Sequence, residues 1–123
     1  MQITLFKLIV AIILVESGGN GLAHNVKEDA CGCLQIRPIM VAEFNRIGIP
    51  FTLKDRWDCG RSIMAFGKWV TIKGYTDAEV IARKWNGGPN GHKKESTLKY
   101  WGKVKQQLKP KTKCSTKSEK CRP

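Results

Sequence analysis

An almost unbroken apolar segment near the start of the chain is the feature that most constrains its fold. Between Ile3 and Val15 the only charged residue is Lys7. A run of this length is typical of a helix that is buried on most faces, and it is well short of the roughly 20 residues that span a bilayer. Glycines and polar residues follow, so the helix is expected to end at about Glu16. The segment therefore predicts a core helix with a carboxyl group on its last turn.

The rest of the chain contains helix signals and few strand signals. Its 123 residues suit one domain, and 41% hydrophobic residues suit a folded one. Pro38 fits the first turn of a second helix, and Asp58 can cap a third. Thr76 and Glu79 form a capping box that predicts the start of a fourth. The predicted fold class is mostly α, with at most a short β-hairpin between His24 and Ile36.

The last third of the chain divides into a loop, a helix and a tail. Three glycines and a proline between Asn86 and Gly91 predict a loop. An apolar stripe through Trp101 and Val104 predicts the last helix. The segment from Lys109 to Pro123 is lysine-rich and poor in large apolar residues, which is typical of a flexible tail. We therefore expect a compact domain over residues 1–108 and a basic tail over residues 109–123.

The chain is strongly basic. It has 22 Lys and Arg against 10 Asp and Glu, a formal net charge of +12. Such a charge attracts polyanions such as nucleic acids, anionic lipids and acidic cell-wall polymers. No helix-turn-helix, RNA-recognition or zinc-finger motif is present, so nucleic acid is not expected as the partner. We interpret the tail as a means of binding anionic cell-envelope polymers.

The cysteines and histidines do not follow a known metal-binding pattern. The five cysteines cannot all pair within one chain, and the two histidines lack the H-x₃₋₅-H spacing of a zinc site. The sequence therefore predicts neither a metal site nor a cofactor. Cys114 and Cys121 could close a small loop in the tail, and reduced cysteines in a cytosol are at least as compatible with the pattern. The redox state stays open at this point.

Four segments resemble, in order, motifs of the goose-type lysozyme and soluble lytic transglycosylase superfamily, especially its small phage-encoded members. V-E-S-G-G-N at 15–20 is similar to V-E-S-x-x-N, and G-C-L-Q-I at 32–36 is similar to G-L-[LM]-Q-I. W-N-G-G-P at 85–89 is similar to Y-N-A-G-P, and T-L-K-Y-W at 97–101 looks like the start of T-x-x-Y-V-x-x-V. The resemblance covers about Leu5 to Leu108. It implies a lysozyme-like fold and a monomeric enzyme that cleaves the β-1,4 bond between MurNAc and GlcNAc in bacterial peptidoglycan.

The resemblance also implies site residues. Glu16 matches the catalytic acid, and burial at the end of an apolar helix would raise its pKa toward the range that a general acid needs. Ser17, Gln35 and Asn86 match residues that line or support the substrate cleft. Tyr100 matches a tyrosine whose hydroxyl reaches the catalytic carboxyl, so we expect the two groups within about 5 Å of each other.

The second carboxylate decides which reaction is expected. Glycosidases that hydrolyse usually use two carboxyl groups, and Glu28 or Asp29 could be the partner of Glu16. Arg37 stands where goose-type lysozymes carry a further Asp, which favours chemistry with one acid. The favoured interpretation is a lytic transglycosylase, in which Glu16 protonates the bridging oxygen and then takes the proton of the muramyl 6-hydroxyl. The alternatives are a hydrolytic lysozyme and, less favoured, a non-enzymatic cationic binder.

The start of the chain does not resemble a secretion signal. The charged front before the apolar segment is thin, and no A-x-A cleavage site follows it. We therefore expect a protein made in the cytoplasm that reaches the bacterial cell wall by lysis or in a virion, with secretion as the alternative.

Overall fold

The structure, a computed structural model, describes residues 3–109. It contains five α-helices: α1 Leu5–Ser17, α2 Pro38–Arg46, α3 Cys59–Lys73, α4 Ala78–Gly87 and α5 Leu98–Leu108. Strands β1 His24–Asn25 and β2 Ala30–Cys31 pair antiparallel, with His24 opposite Cys31 and Asn25 opposite Ala30. The predicted mostly-α fold with one short hairpin is confirmed for the described part of the chain. The tail beyond Lys109, with Cys114 and Cys121, lies outside it.

Helix α1 begins and ends where local signals place it. The Thr4 hydroxyl accepts a hydrogen bond from the Lys7 N–H, and Gly18 ends the helix with φ 65°. One face, including Leu8 and Ile12, lies in the core. Phe6, on another face, is 67% exposed, so the expected burial on most faces was wrong. None of the helices in residues 3–109 is long and apolar enough to cross a membrane.

The core is built around aromatic side chains. Phe44 and Phe66 have no exposed surface, and the rings of Phe66 and Trp85 lie 4.5 Å apart between centroids. Burying a side chain of this size stabilises the fold by about 1.5–3 kcal/mol. Helix α5 packs along α1 and α4, so the last helix in residues 3–109 lies beside the first one.

Helix α4 differs from the sequence prediction at both of its ends. Its N-cap is Asp77, whose carboxylate accepts a hydrogen bond from the Val80 N–H at 3.0 Å, so the predicted cap at Thr76 was one residue early. Glu79 pairs with Arg83 on the next turn and closes no capping box. The helix also continues through Gly87, where a loop was predicted. A glycine is needed there because an added Cβ would lie 2.6 Å from Cγ2 of Thr97.

A disulfide joins Cys33 to Cys59 and links the segment after the hairpin to the first residue of α3. The sequence pattern left the redox state open and did not identify this pair. A cross-link over 26 residues stabilises the folded state by roughly 3.5 kcal/mol on the chain-entropy model. Among the described residues Cys31 is the free cysteine, and it is buried.

Candidate active site

A cleft of about 430 Å³ runs between the hairpin and helices α2, α3 and α4. Its volume is in the range of ligand sites in proteins. The end of α1 contributes Glu16, and the hairpin contributes Asn25 and Glu28. The other walls include Gln35, Arg37, Ile39, Glu43, Trp69, Lys73, Lys84 and Asn86. Carboxyl groups, cations and apolar surface therefore share one concavity.

Glu16 has a strongly raised pKa in this cleft. Burial raises its pKa to about 7, and the negative charge of Glu28 acts weakly in the same direction. A hydrogen bond from Tyr100 and the positive charge of Arg37 lower the pKa and offset part of that rise. The C-terminal end of α1 also disfavours a carboxylate, because the helix dipole is negative there. Glu16 can therefore hold and release a proton near neutral pH.

Tyr100 contacts Glu16 directly. Its hydroxyl donates a hydrogen bond to Oε2 of Glu16 at 2.8 Å, across 84 residues of chain. The expected separation of less than about 5 Å is confirmed. Burial raises the pKa of Tyr100 well above its usual value, so the phenol keeps its proton and acts as a donor. The packing of α5 along α1 creates this contact.

Gln35 lines the cleft and organises the loop that carries it. Its backbone has φ 50°, and its side-chain amide donates to the carbonyl oxygens of Ala23 at 3.0 Å and Gly32 at 2.8 Å. Gly32 has φ 81°, and an added Cβ there would collide with the carbonyl oxygen of Arg56. The loop can therefore approach Arg56 closely only with glycine at this position.

Ser17 does not line the cleft. Its hydroxyl donates to the carbonyl oxygen of Cys33 at 2.8 Å and accepts from the Gly19 N–H at 3.2 Å. It thereby joins the end of α1 to the segment that leads to Gln35. The substrate contact expected for Ser17 is not supported by this position, whereas a role in holding Glu16 and Gln35 together is.

The structure separates the two candidates for a second carboxylate. Glu28 is exposed and lines the cleft, and its N–H donates to Oδ1 of Asn25 at 3.2 Å. Asp29 is not among the lining residues; its carboxylate contacts His24 at 3.0 Å and Arg56 at 3.4 Å. The hydrogen bond with His24 is the main reason that the pKa of Asp29 lies below its usual value. Of the pair, only Glu28 is placed to act in the cleft.

Glu43 is a cleft carboxyl that the sequence analysis missed. Arg46 binds it at 2.7 Å and Lys73 at 3.0 Å, and these bonds lower its pKa to about 2. The Arg46 contact follows from the i,i+3 spacing on α2, which is readable from sequence. Lys73 comes from the end of α3, and no sequence signal connects it with Glu43.

Two further cations line the cleft near Asn86. Arg37 donates to the backbone oxygen of Asn86 at 3.5 Å, and Asn86 is itself a lining residue. Lys84 donates to the carbonyl oxygen of Pro89 at 2.7 Å and lies 5.0 Å from the centroid of the Tyr75 ring. The cleft therefore contains a protonatable Glu16 together with several cations.

Comparison with known proteins finds three relatives at about one third identity. A lysozyme of Ostrea edulis is 35% identical over 82 residues, which are 63% of this chain and 60% of that protein. An invertebrate-type lysozyme of Ruditapes philippinarum is 32% identical over 107 residues, 77% of this chain and 75% of the relative. A lysozyme of Magallana gigas is 33% identical over 99 residues, 76% of this chain and 72% of the relative. No family model and no solved structure matches the chain.

Proposed function

Because this chain belongs to the family of invertebrate-type lysozymes, we propose that it hydrolyses the β-1,4 bond between MurNAc and GlcNAc in bacterial peptidoglycan. The observation that carries the proposal is the desolvated Glu16 carboxyl, held by the Tyr100 hydroxyl in an open cleft. The relatives support a lysozyme in general. They add no support for the goose-type or phage-type assignment that the motifs suggested.

The first chemical step is protonation of the bridging oxygen by Glu16. With a pKa of about 7, Glu16 is protonated in a large fraction of molecules near neutral pH. Departure of the leaving sugar creates an oxocarbenium-like centre and leaves a carboxylate on the enzyme. The Tyr100 hydroxyl already donates to that carboxyl, so it stabilises the charge as it develops.

Glu28 is the proposed second carboxylate. It lines the same cleft, and its charge affects the pKa of Glu16. A carboxylate at this exposed position can stabilise the positive sugar or activate a water molecule. Asp29, the other candidate, is occupied by His24 and Arg56 outside the cleft lining.

A lytic transglycosylase is the second candidate, and one observation favours it. Burial raises the pKa of Glu16 and makes it a proton donor, while the Glu43 carboxylate is paired with Arg46 and Lys73. Among residues 3–109, no hydrogen bond or ion pair holds the Glu28 carboxylate in one orientation, as a nucleophile or base would require. In this mechanism Glu16 acts first as acid and then as base toward the muramyl 6-hydroxyl, which closes on C1 to give a 1,6-anhydro sugar.

Mass spectrometry of the products distinguishes these mechanisms. Purified sacculi are digested, treated with borohydride and analysed as muropeptides. Hydrolysis gives reducing ends that borohydride converts to alditols, whereas transglycosylation gives anhydro ends that lack one water and do not react. Release of no fragment would contradict both mechanisms and support a cationic wall binder.

A variant pair sharpens the same experiment. If the enzyme hydrolyses with Glu28, we expect Glu28→Gln to lower the rate about 100-fold or more. The control is Glu95→Gln, which changes the same chemical group at an exposed position that does not line the cleft. A rate near that of the wild type in Glu28→Gln, together with anhydro products, would replace hydrolysis with transglycosylation.

The basic segment at residues 109–123 is proposed to increase affinity for anionic wall polymers. The proposal rests on its lysine content. We expect its deletion to lower activity on whole cells at low salt and to leave activity on short, soluble glycan fragments unchanged. Equal losses on both substrates would instead mean that the segment supports the fold.

A further inference from the structure

The β-hairpin carries a second group of reactive side chains, apart from those that line the cleft. His24, Asp29 and Cys31 place Nε2, a carboxylate oxygen and Sγ within 4.8 Å of one another. Nε2 of His24 lies 3.0 Å from Oδ1 of Asp29, and Sγ of Cys31 lies 3.5 Å from the same oxygen. A nitrogen, an oxygen and a sulfur atom that can each bind a metal ion therefore lie close together.

The separations of the Asp29 oxygen from the other two ligand atoms are close to those around a tetrahedral zinc ion, and the nitrogen and sulfur atoms lie within 4.8 Å of each other. Bonds of about 2.0 Å to oxygen and nitrogen and about 2.3 Å to sulfur put oxygen and sulfur ligands about 3.5 Å apart, and oxygen and nitrogen about 3.3 Å apart. The sulfur to oxygen separation already has that value, and the nitrogen to oxygen one is short by a few tenths of an ångström. Imidazole, thiolate and carboxylate are all common zinc ligands.

The surroundings supply charge balance and an orienting contact. A thiolate and a carboxylate together neutralise the two charges of zinc, so the nearby Arg56 cation meets a neutral centre. Arg56 lies 3.4 Å from Oδ2 of Asp29 and donates to its backbone oxygen at 2.7 Å, which leaves Oδ1 for the ion. Such contacts orient metal ligands in proteins. The side chains of His24 and Asp29 are 37% and 48% exposed, which gives an ion a path to the buried thiol.

We propose that His24, Asp29 and Cys31 bind one zinc ion, with water as the fourth ligand. On binding, the Cys31 thiol releases its proton to solvent, and zinc replaces the hydrogen bonds that Asp29 now makes with His24 and Cys31. The sequence predicted no metal site because these residues lack a zinc spacing. Folding supplies the proximity, since His24 and Cys31 are direct partners across the hairpin.

The ion would cross-link the hairpin that presents Glu28 to the cleft. His24 comes from β1, Cys31 from β2 and Asp29 from the turn between them. Asn25 and Ala30, the next cross-strand pair, line the cleft instead. Zinc would therefore hold the turn of the cleft wall from outside the cleft, without touching the substrate.

Zinc binding to the full chain tests the site. The protein is kept oxidised, so that the Cys33–Cys59 bond stays intact, and carries Cys114→Ser and Cys121→Ser, so that Cys31 is the remaining thiol. After treatment with a chelator, it is titrated with zinc by calorimetry and, separately, with cobalt by absorption spectroscopy. We expect one ion per chain and a thiolate-to-cobalt charge-transfer band.

Three variants identify the ligands. Cys31→Ser should abolish the charge-transfer band, and His24→Gln and Asp29→Asn should each weaken zinc binding at least about 10-fold. Asn tolerates the φ of 51° at position 29, and His24 is exposed, so neither change threatens folding. His92→Gln is the control and should bind zinc like the parent. Absence of stoichiometric zinc binding, or unchanged binding in both His24→Gln and Asp29→Asn, would overturn the proposal and leave the cluster as a hydrogen-bonded group only.

Discussion

Glu16 and Glu43 line the same cleft, and their pKa values are shifted in opposite directions. Burial raises the pKa of Glu16 to about 7, and its direct side-chain partner is the neutral Tyr100 hydroxyl. Arg46 and Lys73 lower the pKa of Glu43 to about 2. Burial without a directly bound cation therefore makes Glu16 a proton donor, whereas two directly bound cations keep Glu43 an anion. Two carboxyls of one cleft thus differ in role, one suited to donate a proton and the other to remain an anion.

The largest expected difference between the two residues is in catalysis. We expect Glu16→Gln to lower the rate of sacculus clearing at least about 100-fold, because the amide cannot protonate the bridging oxygen. Glu43→Gln is the matched control and should keep most of the activity, since an anion with a pKa of about 2 donates no proton near neutral pH. Similar losses in the two variants would show that Glu16 is not the acid.

The second expected difference concerns stability, because Glu16→Gln should make the folded protein more stable at alkaline pH. The pKa of Glu16 rises on folding from 4.5 to about 7, so its stabilising contribution is complete below pH 4.5 and is lost as the pH rises through 7. Glu16→Gln does not ionise. We therefore expect the variant to exceed the wild type in free energy of unfolding by up to about 3 kcal/mol at pH 8, and to equal it near pH 4. Urea denaturation at both pH values measures this, and a difference independent of pH would contradict the desolvation argument.

Tyr100→Phe should have a smaller effect on rate and a distinctive effect on pH dependence. Losing the hydrogen bond to Glu16 should slow the reaction about 10-fold, or 1.4 kcal/mol. Because that bond lowers the pKa of Glu16, its loss should shift the alkaline limb of kcat/KM to higher pH. A pH–rate profile of both proteins tests this. Normal activity and an unshifted limb would mean that Tyr100 only packs its ring against α1.

The smallest expected effect is that of Glu43→Gln on stability. The lowered pKa of Glu43 contributes stability above pH 4.5, which is lost as the pH falls through 2. The ion pairs are partly exposed, so we expect the variant to lose no more than about 1 kcal/mol at pH 7. The loss should vanish near pH 2. If Glu43→Gln were instead more stable than the wild type at pH 7, Glu43 and Glu16 would not differ in their effect on stability.

The sequence predicted those features that depend on neighbouring residues. Pro38 and Asp58 begin helices α2 and α3 as expected, and Glu16 lies on the last turn of α1. The predicted start of α4 was wrong by one residue. Thr76 and Asp77 are both good N-cap residues, and the sequence alone does not show which of them caps the helix. Local signals thus give the existence of an element better than its limits.

Contacts between residues that are distant in the chain could be predicted only through the family resemblance, and some could not be predicted at all. The contact between Tyr100 and Glu16 was expected because four motifs matched a family, and periodicity alone could not have provided it. The Cys33–Cys59 bond and the pairing of Lys73 with Glu43 had no such guide. Both depend on how α3 packs against the rest of the molecule, which no local pattern encodes.

Glu16 and Tyr100 are far apart in the chain. The acidity of Glu16 therefore depends on synthesis and folding of the chain as far as α5. A ribosome exposes Glu16 early, but the phenol that contacts it comes 84 residues later, on the last described helix. Until α5 packs against α1, the carboxyl is in water and has the ordinary acidity of a glutamate. Nascent chains, and chains cut by a protease before α5, would therefore lack the proton donor although they contain the residue that carries it.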